Sequence, residues 1–236
     1  MNNPTFKSIL IATPHPRNDA LVLHVQSLLS GLNIIRIYSP QDLTLENCEK
    51  LNPDYIFFPH WSWVIPKEIH SKFNCVIFHM TDLPYGRGGS PLQNLIVRGN
   101  KSTKITALKC VSELDAGPIY LKRPLSLVGT AEEILLRASD LIAEMIVELL
   151  QTQQVPVEQQ GDVVEFNRRQ PSDGNISELD SLMQIYDYIR MLDADGYPHA
   201  FIDTYQDELR EFPHPRSTKA IEALARWRGA CAGFEA

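Results

Sequence analysis

Short, almost wholly apolar segments recur through the first third of the chain, and they constrain the fold more than any other feature of the sequence. Four of them are predicted as strands, at residues 8–12, 33–38, 54–58 and 75–78. Between them, residues 18–32 and 43–51 carry apolar side chains at helical spacing. Strands that are apolar on both faces are typical of a parallel sheet covered by helices. The pattern therefore predicts an α/β fold with a doubly wound, mostly parallel sheet.

The pattern changes after residue 90 and predicts a long helix followed by a small C-terminal part. We expect the following elements in order: a helix at 92–98, strands at 102–110 and 117–124, a helix reaching Leu150, a strand at 162–166 and helices at 179–192 and 218–228. Thr130 is the expected N-cap of the long helix, with Glu133 completing a capping box. The polar stretch 151–160 predicts a linker. We therefore expect a main domain at 1–152 and a linker with a small subdomain at 153–236, and leave the role of 203–236 open.

Charge and composition exclude several classes of function. The 236 residues include 22 Lys and Arg against 29 Asp and Glu, which gives a net charge of −7. Such a field repels phosphate backbones, so no nucleic acid partner is expected, although a local basic site is compatible with it. No apolar run reaches the length of a signal-peptide core or a membrane span, which predicts a cytoplasmic location and no membrane partner. The four cysteines lie far apart without a C-x-x-C pair, so no zinc site or disulfide framework is expected.

Candidate functional residues follow the ends of the predicted strands, where ligands bind in open α/β sheets. The segments concerned are 59–66, 79–91 and 111–119. His79 follows one strand and Asp115 lies in a later turn. A histidine with a carboxylate partner is a general acid/base pair near neutral pH. We expect these two side chains to meet in one crevice.

Three motifs in a fixed order carry a family resemblance. Residues 79–91 read H-M-T-D-L-P-Y-G-R-G-G-S-P, residues 94–108 read N-L-I-V-R-G-N-K-S-T-K-I-T-A-L, and residues 114–119 read L-D-A-G-P-I. Together they resemble the formyltransferase family over about residues 54–150. That family includes methionyl-tRNA, glycinamide ribonucleotide and sugar-nucleotide formyltransferases. The resemblance implies a Rossmann-like domain that uses N10-formyltetrahydrofolate as co-substrate and no metal.

The resemblance also implies a catalytic set of asparagine, histidine and aspartate. His79 matches the histidine and Asp115 the aspartate. An acceptor amine sheds a proton as it attacks the formyl carbon, and the leaving nitrogen gains one, so a histidine can serve both steps. The family asparagine falls at Ile77, which cannot donate a hydrogen bond to an oxyanion. His60 is the first candidate to replace it, and Asn94 and Asn74 are weaker ones.

Binding residues carried over by position complete the expected site. The folate is expected to contact the following residues: Trp63, Val64, Ile65, Thr81, Asp82, Leu83, Pro84, Val111, Ser112, Glu113 and Leu114. For Leu83 and Pro84 a purely loop-shaping role is an alternative. The resemblance also implies that the acceptor substrate contacts Arg87 and Gly88, which match the R-G turn of the family. Arg168 and Arg169 are expected to contact it as well, because arginine suits phosphate geometry. A solvated basic pair is the alternative for the last two.

The segment after the predicted linker carries the indication of the acceptor class. The R-R-Q-P-S-D stretch at 168–173 is similar to one in sugar-nucleotide formyltransferases. A UDP-4-amino-4,6-dideoxy sugar of the N-acetyl-altrosamine type, used in pseudaminic-acid-type glycan biosynthesis, is therefore the favoured acceptor. The alternatives are methionyl-tRNA, glycinamide ribonucleotide, water in a formyltetrahydrofolate hydrolase, and a non-catalytic folate- or sugar-nucleotide-binding homologue. A homodimer is left open.

Overall fold

The computed structural model describes residues 6–202 and 210–212. Within them the strands are β1 (Ser8–Ala12), β2 (Asn33–Ile37), β3 (Tyr55–Phe58), β4 (Cys75–His79), β5 (Tyr85–Gly88), β6 (Ser102–Lys109), β7 (Ile119–Ser126), β8 (Val164–Phe166), β9 (Ala200–Ile202) and β10 (Arg210–Phe212). The α-helices are α1 (Asp19–Leu28), α2 (Leu45–Leu51), α3 (Lys67–His70), α4 (Pro91–Val97), α5 (Ala131–Thr152) and α6 (Leu182–Met191). The helix expected at 218–228 lies outside the described residues.

The central sheet has six strands in the order β2-β1-β3-β4-β6-β7. The first four run parallel to one another, and every residue of β1 is buried, as its apolar sequence requires. β6 and β7 run antiparallel. The expected α/β architecture with a mostly parallel sheet is confirmed.

Local capping signals place two of the helix starts. The Thr44 hydroxyl accepts a hydrogen bond from the Asn47 N–H at 3.2 Å, and α2 begins at the next residue. Thr130 and Glu133 form the expected reciprocal capping box at the start of α5. α1 is shorter than expected because the chain turns at 29–32, where Gly31 has a φ of +94°.

The chain divides into two compact units, and α5 contributes to both of them. The first unit comprises 1–91, 102–126 and 135–167, and contains the whole six-stranded sheet. The second comprises 92–101, 127–134 and 168–236. In the second unit, buried Arg190 donates to the carbonyls of Leu127 and Gly129 and to the Asp187 carboxylate. A domain boundary at residue 152 stays a prediction.

In the described parts of the chain, two short sheets lie outside the central one. β5, which is not among the elements expected from the sequence, pairs in parallel with β8. The reason is the partner: a three-residue strand from a distant segment supplies hydrogen bonds that local sequence does not reveal. β9 pairs antiparallel with β10. Among the described residues, no helix has the length and hydropathy needed to cross a membrane.

Candidate functional site

His79 is the last residue of β4, and the parallel sheet fixes where it emerges. Phe58 at the end of β3 pairs with Ile77 in β4. His60 and His79, each two residues further on, therefore leave the sheet at the same edge. This is the edge formed by the carboxyl ends of the parallel strands, where α/β proteins bind ligands.

Asp115 reaches His79 by a route that differs from the expected one. The turn that holds it follows β6, which is antiparallel to β4. The turn therefore starts at the opposite edge, where the Cys110 N–H donates to the Cys75 carbonyl at 2.9 Å. The segment then returns along the sheet, and Asp115 Oδ2 lies 3.5 Å from His79 Nδ1. The expected meeting of these two side chains is present, but not because both follow parallel strands.

The hydrogen bonds of His79 assign its two ring nitrogens. Nε2 lies 2.7 Å from the Gly86 carbonyl oxygen, which can only accept, so Nε2 carries a hydrogen. The Thr81 hydroxyl donates to the same carbonyl at 3.3 Å. Nδ1 faces Asp115, and both side chains of the pair are less than a tenth exposed. Nδ1 is therefore the nitrogen that can give or take a proton beside a carboxylate, in surroundings that exclude most water.

Backbone geometry holds the Asp115 carboxylate in place. Its Oδ2 accepts a hydrogen bond from the Gly88 N–H at 2.9 Å. Asp115 has a φ of +51°, in the left-handed region, which costs a non-glycine residue about 1–3 kcal/mol. Gly88 has a φ of +103°, and a Cβ there would lie 2.5 Å from the Phe166 carbonyl oxygen. Glycine is therefore required at the position that presents its N–H to Asp115.

Gln159 connects Arg87 to the turn that holds Asp115, although the sequence assigns Gln159 only to a linker. Its amide nitrogen donates to the carbonyls of Asp115 at 2.7 Å and Gly117 at 2.9 Å. Its oxygen accepts from Arg87 Nε at 3.2 Å and Nη2 at 2.9 Å. Arg87 Nη1 also forms an ion pair with Glu113 at 3.2 Å. Three nitrogens of Arg87 therefore contact protein groups, whereas the sequence predicts that Arg87 contacts the acceptor substrate. A glutamine in a polar stretch gives no sequence signal for such a role.

Two segments expected to contact folate expose large apolar side chains. Trp63 is 45% exposed, Val64 92% and Leu114 68%. Exposed apolar side chains of this size have surface with which to contact an apolar or aromatic ligand. Ile65 is buried in the core, so only its backbone remains for ligand contact. The residues present therefore fit the aromatic pteridine of a folate.

His60 and Trp61 follow β3 with polar atoms that have no partner among the described residues. Both ring nitrogens of His60 and Nε1 of Trp61 are buried without a hydrogen bond, although each residue as a whole keeps some exposed surface. Burial, followed by the charges of Arg17 and His15, lowers the pKa of His60 to about 3. At neutral pH His60 is therefore an uncharged imidazole with one N–H available to a ligand.

The other residues considered for the asparagine role differ in how they are placed. Ile77 lies on the same face of β4 as His79 and packs against the hydrophobic core. Asn74 precedes β4, so it lies at the end of the strand opposite His79, and its amide donates to the Asp54 carbonyl at 3.0 Å. Asn74 is thus a wrong candidate. Asn94 is a buried residue of α4, and its side-chain oxygen accepts from Arg98 at 2.9 Å.

The loop after β4 is held by an ion-pair network. Asp82 pairs with Lys122 and with Lys104, the latter at 2.9 Å. Burial alone would raise the pKa of Asp82. The two lysines outweigh this effect, so the pKa of Asp82 lies below its usual value. Leu83 and Pro84 are buried and shape the loop, joined by a cis peptide bond. The lysines thus compete with any folate contact of the Asp82 side chain.

The two arginines of the second unit differ in their surroundings. Arg168 is exposed, whereas Arg169 donates to the Asp173 carbonyl at 2.7 Å with its guanidinium 5.3 Å from the Tyr188 ring centre. Both arginines therefore lie at the surface of the second unit, and Arg169 already contacts Asp173 and Tyr188 of that unit.

The cysteines and acidic groups form no metal centre in the part of the chain that the structure describes. Cys48, Cys75 and Cys110 are buried free thiols. Across that part, no group of three or more His, Cys, Asp and Glu side chains could hold a metal ion.

Comparisons with known proteins agree with this geometry. The family model described as "Formyl transferase" matches residues 38–150, and that of the "Methionyl-tRNA formyltransferase, C-terminal domain" matches residues 171–224. A methionyl-tRNA formyltransferase from Clostridium thermocellum superimposes with a TM-score of 0.82 at 47% identity, over 87% of this chain and 97% of that one. A sugar N-formyltransferase from a Shewanella species has a TM-score of 0.67 at 14% identity, over 87% and 96%, which shows a shared fold alone.

Curated relatives give the same indication at lower identity. A methionyl-tRNA formyltransferase from Rickettsia prowazekii is 27% identical over 87% of this chain and 74% of its own length. Other Rickettsia proteins of that name match over 60% of their length. The chain therefore spans between about half and three quarters of the curated relatives it matches.

Proposed function

The chain belongs to the formyltransferase family, and from that premise we propose that it moves a formyl group from N10-formyltetrahydrofolate to the amine of an acceptor. The observation that carries the proposal is the 47% identity to a methionyl-tRNA formyltransferase across 97% of that chain. The buried pair of His79 and Asp115 supplies the chemistry that such a transfer needs. The bound folate supplies the formyl carbon.

The residues of the pair divide the work of proton transfer. His79 Nδ1 is the atom that takes a proton released by the attacking amine and returns one to the leaving nitrogen. Asp115, whose Oδ2 lies 3.5 Å away, stabilises the imidazolium that forms between these steps. Low exposure of both side chains strengthens this interaction relative to water.

His60 takes the place of the family asparagine in this proposal. Its position at the carboxyl end of β3 puts it at the same sheet edge as His79. Its buried nitrogens have no partner among the described residues, so a ligand oxygen would satisfy an otherwise costly group. A neutral imidazole donates one hydrogen bond to developing negative charge. Ile77, at the position of the family asparagine, has no side-chain donor for this hydrogen bond.

The folate is held in this proposal by the segments after β3, after β4 and after β6. Trp63, Val64 and Leu114 present apolar surface to its ring, and backbone groups of Ile65 and of residues 111–113 offer hydrogen bonds. Thr81 to Pro84 border the same edge. Exposure supports Trp63, Val64 and Leu114 as folate contacts, and position at this edge supports the other expected residues.

Methionyl-tRNA is the acceptor that the relatives support best. The solved structure at 47% identity and the Rickettsia relatives carry that name, and residues 171–224 match the C-terminal domain model of those enzymes. The sequence interpretation favours a UDP-linked amino sugar and expects no nucleic acid partner. The relatives correct both expectations, because they favour methionyl-tRNA. Short motifs shared across the family do not separate the acceptor classes.

A nucleotide-linked amino sugar remains the second candidate because of charge. A net charge of −7 opposes long-range attraction of a tRNA and does not hinder a small acceptor with two phosphates to the same degree. Arg168 and Arg169 offer guanidinium groups of the kind that bind diphosphates.

One experiment separates these acceptors. The purified protein is given N10-formyltetrahydrofolate with methionyl-tRNA, with uncharged tRNA, with UDP-linked 4-amino-4,6-dideoxy sugars, or with no acceptor. Mass spectrometry then follows the gain of a formyl group, and an enzymatic assay follows formate. Formyl-methionyl-tRNA supports the first candidate and a formylated sugar the second. Formate release at an equal rate without any amine, or no product in any arm, would overturn the proposal.

A further inference from the structure

The side-chain amide of Gln159 uses its full hydrogen-bonding capacity within the site. Two N–H donors go to the carbonyls of Asp115 and Gly117, and the oxygen accepts twice from Arg87. A primary amide has two donors and two acceptor positions. Gln159 has none left over for solvent or substrate, so its effect on any reaction passes through the groups that it holds.

Both carbonyls that Gln159 contacts belong to the turn that presents Asp115. The left-handed φ of +51° at Asp115 decides where the carboxylate points. Rotation of the backbone to an ordinary conformation would turn the 115 carbonyl away from Gln159 and swing Oδ2 away from His79. The two donated hydrogen bonds therefore stabilise the conformation in which the carboxylate faces the imidazole.

The Arg87 side of the amide ties this turn to the strand that contacts the same pair. Arg87 lies between Gly86, whose carbonyl accepts from His79, and Gly88, whose N–H donates to Asp115. Gln159 therefore links β5 and the Asp115 turn through one side chain. Leucine at this position would fill a similar volume without either link.

We propose that Gln159 is a positioning residue that holds the Asp115 carboxylate against His79, and this rests on the proposed formyl transfer. The Gln159→Leu variant is expected to lower kcat about 10²-fold, because misplacing a reacting group by about 1 Å has this effect. KM for the folate is expected to change less than about threefold, since Gln159 has no free group for ligand. Gln160→Leu, at an exposed neighbouring position, is the matched control and keeps the wild-type kcat.

The Gln159→Glu variant tests the effect of the two donated hydrogen bonds apart from the effects of side-chain shape and of the contact with Arg87. It keeps an oxygen for Arg87 and the same length, but at neutral pH it has no hydrogen to give the two carbonyls. A loss of kcat as large as that of Gln159→Leu is expected. A kcat for Gln159→Glu within about threefold of the Gln160→Leu control would overturn the proposal.

A readout without catalysis makes the two proposals separable. In ¹³C-histidine-labelled protein, the Cε1–H signal of His79, assigned by its loss in His79→Ala, reports the surroundings of the ring at a fixed pH. The signal is expected to shift in Gln159→Leu and to keep its position in Gln160→Leu, because only the first variant moves the carboxylate away from the imidazole. An unchanged signal in Gln159→Leu overturns the positioning role. A wild type that transfers no formyl group, with a signal that shifts as expected, overturns only the proposed function.

Discussion

The Nδ1 atom of His79 lies 3.5 Å from Oδ2 of Asp115 in surroundings that leave less than a tenth of either side chain exposed. The other ring nitrogen is already committed to a backbone carbonyl, which fixes the orientation of the imidazole. The pair is long for a hydrogen bond, as catalytic contacts often are before a substrate binds. Its importance can be tested by changing charge without changing shape.

Asp115→Asn removes the charge of the carboxylate while keeping an oxygen for the Gly88 N–H. We expect formyl transfer to fall about 10²–10⁴-fold, because the imidazolium then has no counter-charge during proton transfer. His79→Ala is expected to lose at least as much. Single-turnover transfer from N10-formyltetrahydrofolate measures both variants, and urea unfolding checks that each is folded. Turnover within about twofold of wild type in a folded Asp115→Asn protein would remove the acid/base role.

Gly117 is required by contact rather than by φ, and this predicts a loss of stability on substitution. A Cβ at this position would lie 1.8 Å from the Lys109 carbonyl oxygen, so the turn that carries Asp115 must move. Gly117→Ala is expected to lower the free energy of unfolding by at least about 2 kcal/mol. Chemical denaturation measures the change.

Gly31→Ala serves as the comparison for that variant. Gly31 has a φ of +94°, but no atom lies within 4 Å of the position that a Cβ would take, so only backbone strain of about 1–2 kcal/mol is expected. Its formyl transfer rate is expected to match wild type, whereas Gly117→Ala also loses rate because Asp115 is displaced. Equal effects of the two variants on stability and rate would contradict the steric interpretation of Gly117.

The sequence was sufficient to predict the strands β1 to β4 and the cap at Thr130, because each depends on local pattern. It was also sufficient to place His79 at a strand end. The contact of Asp115 with His79 depends on the antiparallel direction of β6 and on a segment that returns along the sheet, which apolar patterning does not encode. Gln159 is invisible to motif reading for the same reason, since its partners lie more than forty residues away in sequence.

His60 is expected to contribute a hydrogen bond to the reaction rather than to folate binding. His60→Ala should lower the transfer rate about 10²–10³-fold, as loss of one oxyanion donor does, with little change in the dissociation constant for tetrahydrofolate. Trp63 fluorescence provides the binding measurement. His60→Gln, which retains an N–H donor, is expected to lose less.

A second substitution tests whether His60 stands in for the family asparagine. Ile77→Asn in the His60→Ala background places an amide two residues before His79 on the same face of β4. The double variant is expected to transfer faster than His60→Ala alone. A wild-type rate for His60→Ala would assign the oxyanion role to another group. A slow His60→Ala variant with no recovery in the double variant would show that His60 does not stand in for the family asparagine.

The burial of His60 predicts a loss of stability in mild acid. Its pKa in the folded protein is about 3, against about 6.5 when unfolded. Between these values the unfolded chain binds a proton that the folded protein does not, so stability falls as pH falls, by about 1.4 kcal/mol per unit. From about pH 7.5 to about pH 5, wild type should lose about 2 kcal/mol more than His60→Gln, measured by urea unfolding. Parallel losses in the two proteins would show that the imidazole is not held uncharged.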